Sequence, residues 1–294
     1  MARKLKKRLI VIHPYTFFDP GRFLEDGLRK IGFEIALYDK AIDFGGINQG
    51  MFDAVLYIES PYRSQVQVSN SQKIRLPRFF WILHGESRLE LNLRFIEEHR
   101  IDCLLLANSA HLSKSYQTPF QILPMAVEPA LFPNRLPLSG RFFDISFVGA
   151  SNHLYHERDQ LLDLMKKTYP NLKLNFTSGV YLREMGEIYA NSKIVFNWNY
   201  GNVLTMRLFE GMVAGAVMLT NYAHGIEMLG TNRRHYVIYR NPSDLIHKID
   251  FYLANLSLSQ QVASRGFQKV LGEHTYLHRA RQLEGILQRY PSIN

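Results

Sequence analysis

Cysteine is almost missing from this chain. Cys103 stands alone inside the apolar run Cys103-Leu104-Leu105-Leu106, so no internal disulfide can form, and a buried thiol in a reducing, cytoplasmic setting is expected. Long apolar stretches are absent too. None nears the ~18 residues of a membrane helix, which leaves weak peripheral membrane contact as the only membrane reading. The glycines never form G-x-G-x-x-G directly after an apolar strand, so the dinucleotide fingerprint is lacking and oxidoreductases recede. No Asp-x-Asp occurs. His274 and His278 stand one helical turn apart, but no cysteine or carboxylate cluster joins them, so capping and packing is their expected role. No basic motif interleaved with aromatics is present, and nucleic acid is not an expected partner.

What is present suits a globular protein. The 294 residues are 46% hydrophobic and 21% charged, which excludes disorder and suggests two domains of ordinary size. Formal charge is +9, but Arg3, Lys4, Lys6, Lys7 and Arg8 precede the first acidic residue, Asp19, leaving the remainder at about +4. This basic start could touch anionic lipid. It is not read as a signal peptide, because His13-Pro14 ends the run Leu9–Ile12 after four residues, short of the ~7–15 that such a segment needs.

Short apolar runs alternate with amphipathic stretches. Strands are predicted at Leu9–Ile12, Glu34–Tyr38, Ala54–Ile58, Phe79–Leu83 and Ile101–Leu106, with helices at Pro20–Ile31 and Arg88–Arg100 and another starting near Asn108-Ser109. Five prolines between Pro119 and Pro137 read as a linker. The alternation then restarts: strands at Asp144–Val148, Leu172–Phe176, Lys193–Asn197 and Val217–Thr220, helices at His156–Thr168, Leu182–Asn191, Thr205–Ala214 and Ser243–Leu253, and a last helix from Ser257 to the end. The expectation is an α/β protein of two doubly wound domains, 1–136 and 137–294, facing a central cleft.

The segment from Tyr200 to Asn221 carries the most chemistry. A glycine turn leads into a helix with Arg207 and Glu210 three residues apart on one face, then into a buried strand. A helix N-terminus attracts phosphate, an arginine clamps it, and a carboxylate one turn on can accept from ribose hydroxyls; a structural ion pair is the plainer reading. His84 follows a strand and precedes Gly85, and His13 follows the first strand, so both are placed at the carboxyl edge of the first sheet. Gly149, Ser151 and Asn152 follow the second domain's first strand and could offer backbone donors to a phosphate.

In Asn202, Arg207-Leu-Phe-Glu210 and Gly215 the chain resembles the group-1 glycosyltransferases, and more closely the spore-maturation CgeB-like family of GT-B fold. Asp144-Ile-Ser-Phe-Val-Gly149 with Arg158, the terminal His274-Thr-Tyr-Leu-His-Arg279, and Trp81-Ile-Leu-His84-Gly85 carry the same resemblance. It implies a transferase that moves a sugar from a nucleoside-diphosphate sugar to a glycan or other hydroxyl acceptor, without further cofactor. The implied nucleotide-sugar residues are Gly149, Ser151, Asn152, Arg158, Asn202, Thr205, Arg207, Glu210 and Glu227. His84 and Arg207 would be catalytic, with His13 and Gly85 on the acceptor side, and the last helix would pack back on the first domain. The first Glu of the family's E-x7-E element falls on Asn202, and His224-Gly-Ile-Glu227 lacks the family's proline, so donor and stereochemistry stay open. Without Asp-x-Asp, arginine and a helix start would stabilise the leaving diphosphate, and no metal is expected. Alternatives are a sugar-nucleotide epimerase and a non-catalytic spore coat or assembly protein of the same fold.

Overall fold

The computed structural model describes residues 6–14, 16–59, 66–85, 87–133, 136–150 and 155–290. The chain divides into two compact units, Met1–Ala126 with Tyr276–Asn294, and Val127–Thr275. The boundary anticipated at 136/137 therefore falls inside the second unit.

Unit 1 contains strands β1 (Arg8–Ile12), β2 (Glu34–Tyr38), β3 (Ala41–Asp43), β4 (Ala54–Ile58), β5 (Gln67–Ser69), β6 (Arg78–Ile82), β7 (Cys103–Leu106) and β8 (Phe120–Ile122). Six of them form one parallel sheet in the order β2-β1-β4-β6-β7-β8, while β3 pairs with β5 apart from it. β4 and β7 are buried along their whole length, as unalternated apolar runs covered on both faces should be. Chain order reverses beside β1, since β2 lies on one side and β4 on the other. That makes the gap between the carboxyl ends of β1 and β4 the topological switch point. The proline-rich stretch is not wholly linker. β8 starts just after Pro119 and takes the sheet edge, where a strand tolerates proline at its start.

Helix α1 (Pro20–Lys30) begins with Asp19 accepting from the Gly21 N–H at 2.7 Å and with proline in the first turn, and it buries Phe23, Leu24 and Leu28. Helix α2 is Leu89–His99. The helix anticipated at Asn108-Ser109 is only a 3₁₀ run, Ala110–Ser115, because Ser109 makes no side-chain cap and Pro119 follows closely. The described part of the basic start is folded into the unit. Lys6 bonds the Gly50 carbonyl, Lys7 pairs with Glu284 at 3.0 Å and Arg8 with Glu34 at 2.8 Å. Arg3 and Lys4 lie outside the described residues.

Unit 2 runs β9 (Phe143–Val148), α3 (His156–Thr168), β10 (Leu174–Thr177), α4 (Leu182–Ala190), β11 (Ser192–Asn197), α5 (Met206–Val213), β12 (Val217–Thr220), β13 (Val237–Ile238), α6 (Pro242–Ala254) and α7 (Leu256–Glu273). Its parallel sheet has the order β10-β9-β11-β12-β13, so the switch point lies between β9 and β11. The helix anticipated from Ser257 to the end breaks at His274-Thr275, where Val127 donates to the His274 carbonyl and pairs with Thr275. Helix α8 (Tyr276–Leu287) then packs on α1 in unit 1. Buried Arg279 on α8 donates to the Pro124 carbonyl at 2.8 Å and to Met125 at 3.3 Å. The His-Thr-x-x-x-Arg signature is thus a fastening of segment 124–127, and burial draws Arg279 down to about 10. No described helix is long and apolar enough to cross a membrane.

Candidate functional site

Arg207 stands in the first turn of α5 and straddles the unit 2 switch point. Its Nε donates to the Val148 carbonyl at the end of β9 at 3.0 Å, and Nη1 donates to Asn197 Oδ1 at the end of β11 at 2.8 Å. The guanidinium lies over the Phe147 ring, 4.5 Å from its centroid. Nη2 is turned toward Gly149, where a Cβ would stand 2.7 Å from it and 2.7 Å from Phe147. Glycine is needed there for close approach, and the buried Tyr189 side chain hydrogen-bonds the same guanidinium.

Behind Arg207 lies a web of short polar side chains. Asn197 Nδ2 donates to Asn199 Oδ1 at 2.9 Å and Thr220 Oγ1 at 3.0 Å; Asn199 and Asn221 exchange bonds through their backbones. Thr205 precedes α5 but does not cap it, its hydroxyl leaning toward Asn197 and Asn199 instead. Thr205 thus leaves the start of α5 without a cap from its own hydroxyl. Glu210, one turn along, is partly buried and its carboxylate accepts no hydrogen bond from any described residue. Burial pushes its carboxyl up to about 7, with the charge of Arg207 pulling the other way.

The remaining anticipated residues divide. Arg158 is buried, donates to the Ala150 carbonyl at 2.7 Å, pairs with Asp159 at 2.9 Å and lies over Phe147 and Tyr155, so it anchors the loop after β9. With Gly149 it lines a cavity of about 460 Å³ beside β10. Asn202 is exposed, left-handed at φ 58°, and its carbonyl accepts from the His224 N–H at 2.8 Å. Glu227 is exposed on the 3₁₀ turn Ile226–Leu229, away from the start of α5 in sequence. Ser151 and Asn152 lie outside the described residues.

In unit 1, His84 is half-exposed, with Nδ1 3.5 Å from Glu59 Oε2. Glu59 is buried beyond β4, and its Oε2 also accepts the Leu83 and His84 N–H groups at 2.5 Å each. Burial pushes Glu59 up, but His84 and the two N–H groups outweigh it and hold the carboxyl below its ordinary value. His13 is buried with both ring nitrogens engaged, Nε2 by Glu25 at 2.7 Å and Nδ1 by the Pro14 carbonyl at 3.1 Å, which makes it a link between β1 and α1. Gly85 makes room for Ser109, which a Cβ would strike. Burial also raises Asp19, against the Gly21 N–H and His13. Asp19, Glu25 and Glu59 were missed in the sequence, though Glu59 directly after the apolar run Ala54–Ile58 was a readable signal. Among the described residues no three His, Cys, Asp or Glu side chains group as a metal site would.

Residues 138–285 match the family described as glycosyl transferase-like. No curated protein matches the sequence. Among solved structures, sucrose-phosphate synthase from Thermosynechococcus elongatus is similar at 10% identity and TM-score 0.66, over 96% of this chain and 98% of that one. An alpha-glucosyltransferase in complex with UDP and a 13-mer DNA matches at 10% identity and TM-score 0.65, over 96% and 99%. HepE from Anabaena, in complex with UDP and glucose, matches at 10% identity and TM-score 0.62, over 97% and 100%. At these identities the likeness shows the fold, which is GT-B.

Proposed function

The chain belongs to the glycosyl transferase-like family, and from that membership we propose that it transfers a sugar from a nucleoside-diphosphate sugar, bound by unit 2, to a hydroxyl of a glycan or similar acceptor. One observation carries this reading. At the switch point of the unit 2 sheet, an arginine fixed in place, the start of a helix that Thr205 does not cap, and a carboxylate whose charge faces that arginine stand within one helical turn of each other. Diphosphate belongs with Arg207, the Gly149 loop and the start of α5; ribose hydroxyls would donate to Glu210. Two of the similar solved structures hold UDP, which supports a nucleoside diphosphate as the core of the donor.

Breaking the anomeric bond leaves negative charge on the diphosphate, and a positive group fixed in advance stabilises it at that moment. Arg207 is fixed by Val148, Asn197 and Phe147, which supports it as the source of that charge; on this reading neither a metal nor another cofactor is required. His84, oriented by Glu59, would take the acceptor proton or polarise its hydroxyl. The test is donor hydrolysis and sugar transfer with and without EDTA, for wild type, Arg207→Ala and His84→Ala. Arg207→Ala should lose nucleotide affinity and turnover, His84→Ala turnover alone. Activity abolished by EDTA, or normal turnover in His84→Ala, overturns the mechanism.

The finer kinship with CgeB-like enzymes rests on Arg207-Leu-Phe-Glu210 and the His274 to Arg279 signature. A second reading, a non-catalytic assembly protein of the same fold, is favoured by one feature: Asn202 replaces a carboxylate and faces solvent. Wild-type inactivity with every nucleotide sugar, despite nucleotide binding, would select it.

A further inference from the structure

A cavity of about 570 Å³ opens in unit 2 at the carboxyl ends of three neighbouring strands, inside the ~300–1,000 Å³ range of small-molecule sites. Trp198 follows β11, Asn221 follows β12 and Tyr239 follows β13, and all three line it. Leu161 and Leu164 of α3 and the start of α6 close the other side. This is not the Arg207 site. Side chains alternate across a strand, and along β11 the two sets part: Val195 lies against Gly211 of α5 and Asn197 holds Arg207, while Ile194, Phe196 and the following Trp198 pack with α3 and α6. The guanidinium and this cavity therefore lie on opposite faces of the sheet.

The floor of the cavity is aromatic and held in place. Tyr239 donates its hydroxyl to the Asn197 carbonyl at 3.2 Å and stacks on Phe196, and Trp198 has ring contacts with Tyr155 and Tyr200. Rings fixed in advance cover the apolar surface of a ligand at little entropic cost. The rim carries one charge of each sign. Glu157, in the first turn of α3, and Arg240, just before α6, are exposed, and neither side chain has a hydrogen bond or ion pair with a described residue. The carboxylate only accepts and the guanidinium only donates. An anion gains at Arg240 what it loses at Glu157, and a cation does the reverse, so net charge brings a ligand no advantage; a hydrocarbon would use neither group. A sugar ring answers the whole lining, because its C–H face lies on an aromatic ring while the hydroxyls around its edge both donate and accept.

We propose that this cavity is a saccharide site apart from the donor site, with Trp198 as its platform and Glu157 and Arg240 as its polar anchors. It holds a ring of a glycan chain without placing it for reaction, since Arg207, Gly149 and Glu210 do not line it. The inference needs no part of the transfer reading.

Trp198 also supplies the readout. The chain has two tryptophans, and the other, Trp81, is fully buried in β6. The test is tryptophan emission of the full chain titrated with glucose, N-acetylglucosamine, maltose and cellobiose, first without nucleotide and again with saturating UDP. At least one sugar should shift the emission saturably, with the same midpoint in both series. Trp198→Phe keeps a ring against the core but removes the reporter, so the response should vanish. Glu157→Gln and Arg240→Gln are exposed exchanges that leave the core untouched; each should weaken the sugar about fivefold or more while the far-ultraviolet dichroism stays that of wild type. No saturable response in wild type overturns the proposal, as does a response that survives Trp198→Phe, wild-type sugar affinity in both rim variants, or competition by UDP. Donor hydrolysis with no sugar response removes this inference and leaves the transfer reading standing; a sugar response with no donor hydrolysis does the reverse.

Discussion

At the scale of single residues, charge placement decides most of the chemistry. Glu210 is held with its carboxyl raised to about 7 from 4.5, chiefly by burial. Because the folded chain binds this proton more tightly than the unfolded one, the associated stability is complete below 4.5 and is lost as pH rises through about 7. Glu210→Gln should therefore melt above wild type near pH ~8 and converge with it in acid. Melting curves across pH check this; equal shifts at both ends would refute it. The same substitution should weaken UDP by about 1–3 kcal/mol, since an amide replaces a charged acceptor for ribose. Gly149→Ala acts one step removed. Its Cβ would crowd Arg207 Nη2 and the Phe147 ring at 2.7 Å, so roughly 1–3 kcal/mol of stability should be lost and UDP affinity should drop with the displaced guanidinium. Retained UDP affinity in a folded Gly149→Ala protein would mean that Arg207 does not hold phosphate.

At the scale of elements, close backbone approach matters more than helix propensity. Helix α8 lies against α1 because Gly27 has no side chain; a Cβ there would be 2.6 Å from the Tyr276 carbonyl oxygen. Backbone cannot rotate aside as a flexible side chain can. Gly27→Ala should accordingly destabilise unit 1 by ~1–3 kcal/mol despite the better helix propensity of alanine, and denaturant titration should show it. A neutral or stabilising effect would mean that α8 is loosely docked. Elsewhere α4 meets the turn Pro129–Leu131 through Gly186 in the same manner.

At the scale of the molecule, the chain leaves unit 1 at Ala126, builds unit 2, and returns at Tyr276. Unit 1 is thus closed by the last part of the sequence, with Tyr276 stacked near Phe23 and Tyr290 against Phe79. Deleting residues 276–294 should strip apolar cover from unit 1 and leave the unit 2 core, centred on Ile145, Phe196 and Leu219, intact. Hydrogen exchange should then show lost protection in β1 and α1 but retained protection in β9 and β11. Uniform loss across both units would show that they unfold together.

The α/β class, most strand positions and the Arg207–Glu210 pair were legible in the sequence because they depend on local periodicity, glycine placement and spacing along one helix. Motif likeness likewise led to the glycosyltransferase family without a structure. Contacts distant in sequence were not legible. Nothing local links Arg207 to Val148, His13 to Glu25, or Arg279 to Pro124. Tertiary structure alone set His13 against Glu25 and made Glu59 the partner of His84. It also turned part of a proline-rich linker into the edge strand β8 and broke the last helix at His274-Thr275. Periodicity reports which face of an element is buried; it carries no information about which distant side chain will share that burial, and hydrogen-bond partners and carboxylate ionisation are set by that choice.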